Sequence, residues 1–131
     1  MTLGVSMNDS ISSLIEKIVA FRDARNWKQF HNPKDLAISI SLEAAELLEI
    51  FQWSGSDVSA STEKKVTKIK EELADVLIYS FLLGHDLGFD ISEIIDDKIN
   101  LNNQKYPVDK AFGKAEKYTA YISNSTKELN K

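Results

Sequence analysis

Between Pro33 and Pro107 the chain runs without a proline, and its five glycines stand singly. Proline and glycine are the residues that stop helices and open turns. A sequence this short of them favours long helices with brief breaks. Apolar residues supply the period. Ile11, Leu14, Ile15, Ile18, Val19 and Phe21 recur at helical spacing, which predicts a first helix over about 10–26. Asn32-Pro33 reads as an N-cap followed by proline at the first helical position. It opens a second helix over about 33–53, and "SGSDVSAS" at 54–61 forms a small polar loop. Val66, Ile69, Leu73, Val76, Leu77, Phe81 and Leu83 mark a third helix over about 62–87, with Gly88 placed to end it. Asp90 with Glu93 resembles a capping arrangement for a fourth helix that stops before Pro107. Beyond Tyr121 the text is polar and expected to fray.

No internal repeat and no strand alternation is present. The expectation is an all-α chain, one domain over 1–131 with an ordered core at about 10–121 and a polar tail at 122–131, built as a four-helix bundle-type protomer. The second helix is apolar over more than one face, which calls for cover from another subunit.

Composition narrows the function classes. With no cysteine there are no disulfides, thiolate metal sites or cysteine nucleophiles. A net charge of −4 argues against a broad nucleic-acid footprint. Neither a secretory signal nor a membrane-length apolar run is evident. The expectation is a soluble, cytoplasmic protein that binds neither nucleic acid nor membrane.

Within "SLEAAELLEIFQW" (41–53), Glu43 and Glu46 lie one helical turn apart among residues that want burial. Ionised carboxylates buried without partners cost several kcal/mol each, roughly. In "KEELADVLIY" Glu72 and Asp75 repeat the pattern on the third helix. If the second and third helices are antiparallel neighbours, the two pairs converge and repel unless something positive sits between them. No basic residue is embedded with these pairs in the apolar stretches, and neither His31 nor His85 has the Glu-x-x-His spacing of a di-iron helix. An oxygen-only donor set favours Mg²⁺, with Mn²⁺ as a substitute. Mg²⁺ usually combines carboxylates with substrate phosphates, which points to phosphate chemistry. The competing reading is of surface acids on amphipathic helices.

The two acid pairs, taken with "RNWKQFHNPKDLA" (25–37), "ELLEIFQW" (46–53), "EELADVLIY" (71–79) and "KINLNNQKYPV" (98–108), resemble the MazG-like all-α nucleoside triphosphate pyrophosphohydrolases, in particular their dCTP pyrophosphatase branch. The resemblance covers roughly 14–119. It implies Mg²⁺-dependent conversion of a nucleoside triphosphate to monophosphate and pyrophosphate, with Glu43, Glu46, Glu72 and Asp75 as metal and catalytic residues. It also implies a homo-oligomer, a dimer or a tetramer formed as a dimer of dimers. Near the first tryptophan, Asn26 and Lys28 depart from the acidic residues common in the branch; Asp35, Leu42 and Ala44 depart as well. These departures bear on base preference and remove no expected ligand.

By the same resemblance Trp27 stacks on the base and Trp53 lines the same cleft from its own or a neighbouring chain; both also suit helix-end packing. Stacking on an indole is worth about 1–3 kcal/mol. His31 is read as a structural hydrogen-bonding residue within reach of base or phosphates. Tyr79 has two equal readings, a sugar contact or core. Lys98, Asn102 and Lys105 share one face of the fourth helix, and the match favours Lys98 and Asn102 as substrate contacts. Lys114 and Lys117 are weaker candidates. Arg22 and Arg25 suit ion pairs or phosphate contacts, and His85 a structural role. With no covalent nucleophile evident, a water held by metal or carboxylate attacks in line, and Glu46 is the candidate general base. The rival functions are a broad or non-cytidine triphosphate pyrophosphohydrolase and a non-catalytic helical interaction module.

Overall fold

The computed structural model describes residues 10–122, so the N-terminal residues and nearly all of the expected tail at 122–131 lie outside the described residues. The described residues are helical and turn-forming, without a strand. The helices are α1 (Ile11–Asp23), α2 (Pro33–Glu49), α3 (Glu63–Asp86), α4 (Ile91–Lys105) and the short α5 (Val108–Ala111), with a 3₁₀ turn at Trp27–Phe30 between α1 and α2.

Local chemistry sets the helix starts. Ser10 Oγ accepts from the Ser13 amide at 3.2 Å. Asn32 Oδ1 accepts from the Asp35 amide at 2.9 Å while its Nδ2 donates to Asp35 Oδ2, and Pro33 occupies the first helical position. Thr62 Oγ1 accepts from the Lys65 amide at 3.3 Å. Each bond satisfies an amide that the helix itself leaves without an acceptor. At the end of α3, Gly88 takes φ +74, and the amides of Gly88 and Phe89 donate to the carbonyls of His85 and Gly84. These two bonds close a Schellman motif, which needs a left-handed residue there.

Two helices stop earlier than the apolar period suggests. After Asp23, the amides of Arg25 and Asn26 bond to Arg22 and Asp23 carbonyls, and Asn26 turns left-handed at φ 53. After Glu49, the amides of Phe51, Gln52 and Ser54 reach back only three residues, and Ser54 Oγ donates to the carbonyls of Phe51 and Asp57. Trp53 therefore sits in a turn, 89% exposed.

The chain divides into two compact units, one ending at Ile91 and the other beginning at Ser92. In the first, α2 and α3 form the main packed pair and α1 lies against α3. Leu36, Leu82 and Ile91 are its buried apolar residues. Gly84 is buried against Ile91, where an added Cβ would strike the Ile91 side chain. Arg22 is buried in an ion pair with Asp86 at 2.7 Å, tying the last turn of α1 to the last turn of α3. In the second unit Tyr106 meets Tyr118 and Tyr121 edge-on, with ring centroids 6.3 and 6.1 Å apart, and Tyr121 is buried.

Candidate metal centre

Helical phase sets Glu43 and Glu46 one turn apart on α2, and the antiparallel course of α3 brings Glu72 beside them. Each of the three offers a carboxylate oxygen within 4.8 Å of the other two. Their burial is graded. Glu72 is 4% exposed, Glu43 is half-buried and Glu46 faces solvent. Glu43 Oε2 and Glu72 Oε2 are buried without a hydrogen-bond partner. A buried acceptor left unsatisfied costs about 1–3 kcal/mol, so two in one cluster call for a cation.

Electrostatics record the crowding. The Glu46 carboxyl is pushed up to about 7 by the close approach of the Glu72 carboxyl first, and then of Glu43. Glu72 moves the other way, held below the usual carboxylate range chiefly by Lys68. Lys68 Nζ lies 2.9 Å from Glu72 Oε1. The expectation concerned basic residues embedded in the apolar stretches, and Lys68 reaches Glu72 from one turn outside them. The i, i+4 spacing of Lys68 and Glu72 was the available signal, although Lys68 stands before the apolar stretch rather than inside it.

Asp75, the expected fourth carboxylate, is not in the group of three; it is half-buried one turn further along α3. Its charge is nevertheless felt nearby. The Tyr79 hydroxyl is pushed up by burial first, then by Glu43, Asp75 and Glu46. His31 packs edge-on to Tyr79 with centroids 6.4 Å apart, and His31 Nδ1 is buried without a partner. Thus His31 and Tyr79 are brought together, and Tyr79 lies within the field of the acids.

A cleft of about 560 Å³ opens against the cluster, with Glu46, Glu49 and Ile50 on the α2 side. Thr62, Lys64, Lys65, Lys68 and Glu72 line its α3 side. A second cavity, of about 380 Å³, is lined by Lys28, His31, Asn32, Pro33, His85 and Asp86.

Trp27 is partly exposed on the 3₁₀ turn, edge-on to Phe21 at 5.7 Å. The Arg25 guanidinium lies 3.8 Å over the Phe21 ring and donates to the Phe21 carbonyl. Arg22 is committed to Asp86 and Asp23. Both arginines therefore have structural partners. Lys98 and Asn102 lie on α4 in the second unit, one exposed and the other half-buried. Lys105, the third of that stripe, places its ammonium 5.0 Å over the Tyr118 ring.

The chain matches the MazG-like family model over residues 38–120. It is 38% identical over 103 residues to dCTP pyrophosphatase 1 of Mus musculus, a match covering 76% of this chain and 60% of that protein. The Homo sapiens dCTP pyrophosphatase 1 is 32% identical over 102 residues, with the same shares covered. The chain thus spans about 60% of the length of these curated relatives. Among solved structures, a pyrophosphatase from Archaeoglobus fulgidus is similar at 40% identity and a TM-score of 0.67, covering 74% of this chain and 92% of that one.

Proposed function

The chain belongs to the MazG-like family, and on that footing we propose that it is a Mg²⁺-dependent nucleoside triphosphate pyrophosphohydrolase. Its substrate in this reading is dCTP or a related, modified deoxynucleoside triphosphate, and its products are the monophosphate and pyrophosphate. The relatives named dCTP pyrophosphatase 1 support the cytidine assignment. The observation that carries the metal is the carboxylate cluster with two buried, partnerless oxygens. The donor set is all oxygen, which suits a hard ion such as Mg²⁺ or, in its place, Mn²⁺.

Glu43, Glu46 and Glu72 would hold the ion, with Asp75 added from the next turn of α3. When bound, such an ion neutralises phosphate charge and acidifies bound water. Glu46, the exposed acid that also lines the cleft, is assigned to take the proton from the attacking water. Trp27 and Trp53 are assigned to the base. His31 and Tyr79, already paired, stand for the sugar and its surroundings, and Lys98 and Asn102 for the remaining polar contacts. The family match covers residues 38–120 and so enters both compact units; in this reading 1–131 is one functional domain, a four-helix bundle-type protomer. The protein in this reading is cytoplasmic and a homo-oligomer, either a dimer or a tetramer arranged as a dimer of dimers. Among the described residues no helix is long and apolar enough to cross a membrane.

A pyrophosphate-release assay with Mg²⁺ across the common NTPs and dNTPs tests the reading. Turnover is expected to be highest with dCTP. Glu43→Gln and Asp75→Asn are expected to abolish turnover while the helical content stays unchanged. Equal turnover of many triphosphates would favour a broad pyrophosphohydrolase. No release from any of them would favour a helical interaction module, and near-normal activity in either variant would remove the metal assignment.

A further inference from the structure

We propose that Lys68 and Lys64 form the docking site for the pyrophosphate portion of a triphosphate substrate, and hence for the released pyrophosphate. The inference deepens the reading above and rests on it. The cleft beside the carboxylates has Glu46 and Glu72 at one part of its wall and Lys64, Lys65 and Lys68 along α3. The three lysines are not equivalent. Lys65 is held by Asp57 at 2.6 Å. Asp57 is in turn fixed by the Ser59 and Ser61 amides and the Ser61 hydroxyl. Lys65 is thus already spoken for. Lys64 has no ion-pair partner among the described residues.

Lys68 is the hinge between the acidic and basic parts. Its ammonium bonds Glu72 Oε1 at 2.9 Å and stands 3.9 Å from Glu71 Oε2, while its side chain is 56% exposed. An ammonium carries three donors, so a single short carboxylate bond leaves donors to face the cleft. A cation held by the neighbouring carboxylates would relieve their demand for positive charge, and the remaining donors would then turn to an anion. A polyphosphate also matches what the cleft offers, a cation-binding wall and an ammonium-lined wall within one cavity of about 560 Å³. The alternative is that Lys68 only positions Glu72.

Calorimetry with inorganic pyrophosphate and Mg²⁺, on the whole chain, separates these. Lys68→Gln and Lys64→Gln are each expected to weaken pyrophosphate binding about tenfold, the loss of one charge-assisted contact. Binding of dCMP should stay unchanged in both, and Lys68→Arg should restore pyrophosphate affinity. Lys70→Gln, on the same helix but not lining the cleft, is the control. Pyrophosphate affinity within about twofold of the parent chain in both glutamine variants would overturn the proposal. Mn²⁺ titration without any anion supplies the second readout. Unweakened Mn²⁺ binding in Lys68→Gln supports the anion site, and weakening that matches the pyrophosphate loss would reduce Lys68 to a positioning residue. Retained dCTP hydrolysis with lysine-independent pyrophosphate binding sinks this inference alone. Lysine-dependent pyrophosphate binding in a chain that hydrolyses no triphosphate sinks the parent reading and leaves the anion site.

Discussion

Ala60 holds a left-handed backbone at φ 54 in the loop that turns α2 into α3. For a residue with a Cβ that conformation costs roughly 1–2 kcal/mol, and glycine removes it at some entropic cost. Ala60→Gly is therefore expected to stabilise the chain by up to about 1 kcal/mol in urea unfolding; a destabilised variant would show that the loop does not hold this geometry in solution. Three residues earlier, Asp57 organises the same loop. Its carboxyl is held well below its ordinary value of 3.8 by Lys65 first, then by the Ser59 amide and the Ser61 groups. A depressed folded value means the stabilisation is complete above about pH 3.8 and disappears as the pH falls through the folded value. Asp57→Asn should accordingly lower Tm at neutral pH, and the gap from the parent chain should narrow in acid. A gap that stays constant down to pH 2 would separate the loss from the charge of Asp57.

At the scale of elements, α1 depends on one buried group. Arg22 Nη1 reaches Asp86 Oδ1 at 2.7 Å across to α3, and its Nε bonds Asp23 at 3.1 Å. Asp86 and Asp23 keep contact with solvent, so breaking this part-buried pair costs less than the ~3–5 kcal/mol of a fully buried one. Arg22→Ala should lose about 1–3 kcal/mol in urea unfolding, and hydrogen exchange should quicken first in α1, which packs mainly on α3. A loss below about 1 kcal/mol would place the pair among weak surface bridges. The caps at Asn32 and Gly88 were legible in the sequence because each is a local event, one side chain or one backbone angle. The ends at Asp23 and Glu49 were not. Ile50, Phe51 and Trp53 continue the apolar period, while the hydrogen bonds have already shortened to three residues and Ser54 has captured the Phe51 carbonyl. Long-range partners were equally invisible, and nothing near Arg22 in sequence points to Asp86.

At the scale of the whole molecule, the same division explains the site. Glu43, Glu46 and Glu72 were legible because helical phase and one hairpin suffice to gather them. Asp75 was read as the fourth member on the same i, i+3 spacing, and it stands half-buried outside the group of three. Lys68 was missed because its role depends on how deeply Glu72 is buried. The apolar excess of α2 was also legible, and it persists in the folded chain. Leu42 and Leu48 are 61% and 70% exposed, and Leu73 and Leu77 on α3 are also exposed. Apolar surface of this extent marks association sites in proteins that remain in solution. Light scattering at micromolar concentration is expected to give at least twice the mass of one chain, and Leu48→Glu should shift the population toward the monomer. Trp53 offers a local check, since it is almost wholly exposed in the single chain and adjoins this face in sequence. In a Trp27→Phe background Trp53 is the sole indole. Its emission should lie to the blue in the assembled protein and move red on dilution or with Leu48→Glu. A monomeric mass together with red, concentration-independent emission would mean that no second chain covers α2.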